Sequence, residues 1–352
     1  EVNSGIDFDI WDPTKGFEDN SHYLFKTPIV MDAFCSVVRV IDQNRVLILG
    51  GNKNKYSDFP DSQNATMIYN INEKKFELSQ TLNYKRWYAS TVLTGDQKLI
   101  MLGGSDHIKD TYSTIPEILD LNNIQEGWKI LDQAKSSDLF GVSDSDEWNY
   151  PRSFLASDGN IVGISYNKLW VMDGSNNYRI IKTGEIPLAT GGISKILKHT
   201  NPNSKDHESH LNLLTIGSAV GSTNSVIMID KDQVIVFGGK QNGNEYSPSN
   251  KVFLIDFSNS FKPQVKELKS MNNARSNGNA TIMPDGKIFL NGGHSFNDLE
   301  FSVFTPEIYD PNNQISYEMD DAYFRRNYHS TSLLLPNGTI FTAGGDVWNA
   351  EI

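Results

Sequence analysis

The stretch IFLNGG, residues 288–293, is a short apolar run that ends in a pair of glycines. The same pattern closes at Gly51 as VLILGG, at Gly104 as LIMLGG, at Gly239 as VIVFGG and at Gly345 as IFTAGG. Gly239, Gly293 and Gly345 are 54 and 52 residues apart, and Gly51 and Gly104 are 53 apart. A degenerate copy, GNIVGIS at 159–165, falls in the long gap between Gly104 and Gly239. One glycine pair would be a simple turn. Five at a period near 50, with four short strands in each repeat, are the signature of kelch-type propeller blades.

The flanks repeat too. Upstream of several pairs stands an Arg followed by small or aromatic residues: RWYAS at 86–90, RSNGNA at 275–280 and RNYHS at 326–330. Downstream comes an outer strand with an Asp or Asn turn, as in PEILDLNNIQEGWKIL, KVFLIDFSNS and PEIYDPNNQISY. The turns PDGK and PNGT join the two inner strands, with Gly taking the positive φ of a hairpin. The glycine pair itself lets backbones crowd near the propeller axis. KHTNPNSKDHESHLN, 198–212, reads as a polar loop inside a long blade.

The expected fold is therefore all-β: a seven-bladed kelch-type β-propeller, incomplete at the terminal blades, with residues 1–352 forming a single domain. DFDIWDPTKG, 7–16, reads as the outer half of a blade, and GGDVWNAEI stops where an outer strand would start. Six inner hairpins lie between them, and the chain reads as a piece of a longer polypeptide.

Composition narrows the function. Hydrophobic content of 38% with 11% aromatics is that of a folded globular protein. A net charge of −12 disfavours nucleic acid or an anionic membrane as partner, since both reward Lys and Arg. No apolar run approaches the length that spans a bilayer. The N-terminus EVNSGIDFDI lacks the basic-then-apolar pattern of a signal peptide, which fits a cytosolic protein, a mature secreted one or an excised fragment. Sequons at Asn64, Asn279 and Asn337 favour the secreted case. A single Cys, Cys35, excludes an intrachain disulfide, and a lone thiol is usually a small buried hydrophobe.

One local feature does not follow from the blade pattern. In RRNYHSTSLLLPNG, 325–338, Tyr328 and His329 stand side by side at a strand start, where neighbours normally point to opposite faces. Taken singly, Tyr88 and Tyr328 read as core aromatics and His329 as a hydrogen-bonded histidine.

Taken together, MDAFCS with Cys35, KRWYAS with Tyr88 and FRRNYHSTSLLLPNG with Tyr328 and His329 resemble the copper-radical oxidases, the galactose oxidase and glyoxal oxidase group. FTPEIYDP at 304–311 and WDPTKG at 11–16 also match, so the resemblance runs over essentially the whole chain. It implies that Tyr328 is an axial copper ligand and His329 an equatorial one. It also implies that Tyr88 is the other tyrosine ligand, joined by a thioether to Cys35 as a radical cofactor. Oxidising a primary alcohol or aldehyde removes two electrons while copper accepts one, so the tyrosyl radical stores the other. N and O donors in tetragonal geometry suit Cu(II). The implied partners are a small alcohol or aldehyde and O₂, with hydrogen peroxide as product. The competing reading is a non-catalytic kelch propeller that binds a carbohydrate or protein ligand.

Three positions depart from that pattern. The family's second His ligand lies in a later domain, and the histidines here (22, 107, 199, 207, 210, 294 and 329) include no match to it. Where galactose oxidase has a Trp stacked over the thioether, this chain has GGSDH with Asp106 and His107. The sugar-binding Arg of galactose oxidase has no counterpart near SDEWNYPRS, whose Tyr150-Pro151 resembles the glyoxal oxidase branch.

Overall fold

The computed structural model describes the chain except residues 1–6, 28–30, 53–61, 107–108, 110, 143–146, 188–192, 200–209, 216–222, 242–243, 295–301 and 346–352. Its contacts gather into two compact units, Glu1–Ser165 with Trp170–Lys182, and Tyr166–Leu169 with Thr183–Ile352. Each is described by itself.

The fold is all-β and of propeller type, with five blades among the described residues. Each blade is an antiparallel meander of consecutive strands. The blades begin at Val37, Trp87, Arg152, Ser225 and Ser276 and end at Leu78, Ile130, Glu185, Leu268 and Glu318. A further inner hairpin pairs Ser330–Leu334 with Ile340–Gly344. All six inner hairpins expected from the glycine pattern are thus present. At the N-terminus Asp7–Trp11 pairs with His22–Lys26. The one α-helix among the described residues is a single turn, Ser137–Phe140. The stretch 198–212 corrects the loop expectation: its ends belong to a hairpin, Ile193–His199 with His210–Thr215, and 200–209 lie outside the described residues.

The glycine pairs are the joints between blades. In four of the five pairs the N–H of the second glycine donates to a carbonyl of the following blade: Gly51 to Arg86, Gly104 to Trp148, Gly239 to Arg275 and Gly293 to Arg326, at 2.7–3.1 Å. The first glycine lies against the same carbonyl. A Cβ on Gly292, at φ +66°, would stand 1.9 Å from the Arg326 oxygen, and one on Gly50 would stand 2.3 Å from the Arg86 oxygen. No side chain fits that approach, and the left-handed φ disfavours one as well.

Two of the arginines that precede inner hairpins, Arg86 and Arg275, close buried slots. Arg86 Nε and Nη2 bond Glu117, while Nη1 and Nη2 donate to the carbonyls of Gly103 and Ile115 at 2.6 and 2.7 Å. Backbone N–H groups of Asn83 and Tyr84 donate to the same carboxylate. The arrangement recurs at Arg275, which holds Glu307 at 2.8 Å and the carbonyls of Gly292 and Thr305. Around these slots the strands bury alternate apolar faces, with Leu47, Leu49, Leu99, Met101 and Leu119 fully inaccessible in one cluster.

Burial alone would raise the Glu307 pKa. The Arg275 guanidinium, the Ser316 hydroxyl and the Asn272 N–H outweigh it and hold the carboxyl below its ordinary value near 4.5. A depressed carboxylate contributes stability above its unfolded pKa and loses it as pH falls through the folded value. Glu307→Gln should therefore be less stable than wild type at neutral pH. Thermal midpoints measured from about pH 7 to about pH 3 should show that gap closing below roughly pH 4.5. A gap that is constant across this range would contradict the assignment.

Candidate functional site

Cys35, Tyr88 and Tyr150 occupy the same place in three successive blades of the first unit. Each has a left-handed backbone, with φ of 58°, 61° and 45°. Their backbones are linked in series: Tyr88 N–H donates to Cys35 O at 3.3 Å, and Tyr150 N–H donates to Tyr88 O at 2.9 Å. The left-handed residue breaks the alternation of the strand. Trp87 pairs with Ser105 and Ala89 with Gly103, leaving Tyr88 as an irregular step between them. Such a conformation costs a non-glycine residue about 1–3 kcal/mol and is found where side chains must be re-aimed.

The consequence is an aromatic cluster around Tyr88, which is 8% exposed. Its ring centroid lies 4.1 Å from Trp87, 5.0 Å from Tyr150 at 85°, and 6.0 Å from Trp148 at 63°. Trp148 in turn contacts Trp87 and Tyr112. The Cys35 thiol is half-buried and lies within side-chain hydrogen-bond reach of Tyr88 and Tyr150. Burial pushes its pKa up, more than those hydrogen bonds bring it down, so the sulfur carries its proton at neutral pH.

Asp106, where galactose oxidase has its stacked Trp, is buried and pairs with Lys85 at 3.3 Å. His107 lies outside the described residues. The indoles near Tyr88 are instead Trp87 and Trp148. Sequence reasoning missed Trp148, although a signal was available: WNY at 148–150 repeats the spacing of RWY at 86–88.

In the second unit Asn277 takes the equivalent place, with φ 57° and its N–H donating to Thr223 O at 3.0 Å. Its side-chain amide meets His294 Nε2 at 3.1 Å. One blade later the left-handed residue is His329, φ 64°, immediately after Tyr328. Ser330 N–H closes a turn onto Asn327 O at 3.1 Å. This turn, just before the strand, puts the Tyr328 and His329 rings together, centroids 3.7 Å apart and 35° between planes. That is why neighbouring residues reach the same side. Tyr328 is half-buried and His329 exposed.

These donors fit copper. A phenol and an imidazole placed together in one unit, and a phenol in the other, are the O and N groups that Cu(II) takes. Among the described residues no three His, Cys, Asp or Glu side chains gather to hold a metal without such phenols.

Residues 14–350 match the family described as glyoxal oxidase N-terminus. The chain belongs to that family, within the copper-radical oxidase group that its motifs resemble. It is 23% identical over 344 residues to a galactose oxidase of Gibberella zeae, covering 95% of this chain and 45% of that protein. It is 25% identical over 292 residues to aldehyde oxidase GLOX1 of Arabidopsis thaliana, covering 78% of this chain and 43% of that protein. The chain thus spans under half the length of these curated relatives. Among solved structures, a fungal alcohol oxidase of the AA5 family in complex with copper matches with a TM-score of 0.73 at 19% identity, over 97% of this chain and 64% of the other. That likeness is one of fold.

Proposed function

We propose that the protein containing this chain is a copper-radical oxidase that converts a primary alcohol and O₂ into the aldehyde and hydrogen peroxide, or a hydrated aldehyde and O₂ into the acid and hydrogen peroxide. The observation that carries this reading is the Cys35 thiol lying within hydrogen-bond reach of Tyr88, from an adjacent blade of the same unit. Tyr88, Tyr328 and His329 would hold copper, which supplies one electron-accepting centre when bound. Cys35 and Tyr88, once joined, store the second oxidising equivalent as a ring radical, because sulfur on the ring makes the phenol easier to oxidise. The Tyr328 phenolate takes the proton from the substrate hydroxyl as general base. The aromatic cluster of Trp87, Trp148 and Tyr150 limits water at the Tyr88 ring.

This reading includes a seven-bladed propeller. It also places the protein outside the cell. Asn337 suits a glycan, since it lies exposed in a turn, whereas the Asn64 and Asn279 side chains are engaged with Leu82 O and Ser330 Oγ.

The test uses the full-length protein, loaded with copper under air. Peroxide should form from primary alcohols or aldehydes in a peroxidase-coupled assay, and the free thiol should disappear from a thiol titration. No turnover across a broad panel, with the thiol retained, would leave a ligand-binding propeller as the better reading.

A further inference from the structure

Two phenols lie within reach of the Cys35 sulfur, and the reaction above gives a direct role to only one. Tyr88 is the ring to be bonded, while Tyr150 is the other hydrogen-bonding partner. Tyr150 is firmly held. Its N–H is bonded to Tyr88 O at 2.9 Å, and its ring stands at 85° to the Tyr88 ring. The Arg152 guanidinium lies 5.7 Å from its ring centroid. Pro151 follows it and packs on Gly103, where a Cβ would be 2.7 Å from the proline ring. The hydroxyl therefore reaches the sulfur from a fixed frame tied to the same backbone series that carries Cys35 and Tyr88.

We propose that Tyr150 is a positioning residue for the Cys35–Tyr88 crosslink, its hydroxyl holding the Cys35 sulfur against the Tyr88 ring. The inference rests on the oxidase reading. Crosslinking breaks the Cys35 S–H and one Tyr88 ring C–H and forms one C–S bond. The two protons and two electrons released go to O₂, giving hydrogen peroxide. Tyr150 is not consumed. Before the bond forms, its O–H selects the side-chain rotamer of Cys35 that faces the ring. Afterwards it donates to the thioether sulfur and draws lone-pair density away from the ring, so the mature pair is harder to oxidise than it would be without this donor.

The experiment compares full-length wild type with Y150F and Y150H, each prepared copper-free and then given copper in air. Intact mass, which falls by two hydrogens on crosslinking, is followed over time. The one-electron potential of the mature pair is then titrated. Y150F should crosslink about tenfold more slowly, equivalent to ~1.4 kcal/mol, the scale of one hydrogen bond. Its mature potential should fall by about 59 mV, a tenfold change in a one-electron equilibrium. Y150H retains an N–H donor and should move back toward wild type in both measurements. A packing role predicts the opposite order, because Phe keeps the ring shape and His does not. Y150F matching wild type in rate and potential, or Y150H faring worse than Y150F, overturns the proposal. A wild type that keeps both hydrogens overturns the oxidase reading and this proposal with it.

Discussion

Arg86→Met should destabilise the protein by about 3–5 kcal/mol, the usual cost of stranding one partner of a buried ion pair. Arg86 and Glu117 are both 0% exposed. Removing the guanidinium leaves the Glu117 charge facing only the Asn83 and Tyr84 donors. It also strips the carbonyls of Gly103 and Ile115 of their partners. The measurement is the denaturant midpoint of wild type and variant. The last Arg of the series provides an internal control. Arg326 is half-buried and reaches the carbonyls of Gly344 and Thr342 at 3.3 and 3.4 Å. Arg326→Met should cost only about 1 kcal/mol, because its bonds to these carbonyls are long and partly solvated and no buried carboxylate is left stranded. Equal costs at Arg86 and Arg326 would mean that burial of the pair does not set the energetics.

The contrast between these two arginines also indicates what the sequence could reveal. The glycine pairs were legible because their requirement is steric and recurs in most blades. A backbone oxygen 1.9 Å from where a Cβ would sit permits no alternative residue. The Arg before three of the hairpins was visible because it also recurs. Its Glu partner was not, because it lies 31 or 32 residues away in chains of contacts that close only when the strands pair. The turn that brings Tyr328 and His329 together was anticipated only as irregular backbone, since a left-handed φ at His329 has no side-chain signature. The aromatic cover of Tyr88 was harder still. Trp148 approaches from the next blade, and nothing in its local sequence states that it faces Tyr88 rather than the core. The 198–212 stretch shows the reverse error, where polar residues hid hairpin strands at its ends.

Cys35→Ala should separate activity from stability, with the larger effect on activity. Without the sulfur, Tyr88 is an ordinary phenol, and storing the second oxidising equivalent there becomes much harder. A loss of at least about a thousandfold in peroxide formation, ~4 kcal/mol in activation free energy, is expected for the copper-loaded full-length enzyme. In the copper-free proteins, before any crosslink forms, stability should barely move, because the side chain removed is small and half-buried. Cys35→Gly sharpens the contrast. Cys35 sits at φ 58°, a conformation that costs an L-residue roughly 1–2 kcal/mol and costs glycine almost nothing. The glycine variant should therefore be as inactive as the alanine variant when copper-loaded but, copper-free, melt at least as high as uncrosslinked wild type. Such an outcome is the mark of strain retained for chemistry rather than for folding. Thermal midpoints of the copper-free proteins and peroxide assays of the copper-loaded ones decide it. Either variant keeping more than about a tenth of wild-type turnover, a gap under ~1.4 kcal/mol, would remove Cys35 from the reaction. A glycine variant that melts well below wild type would show that the left-handed backbone at Cys35 is held by the side chain rather than imposed on it.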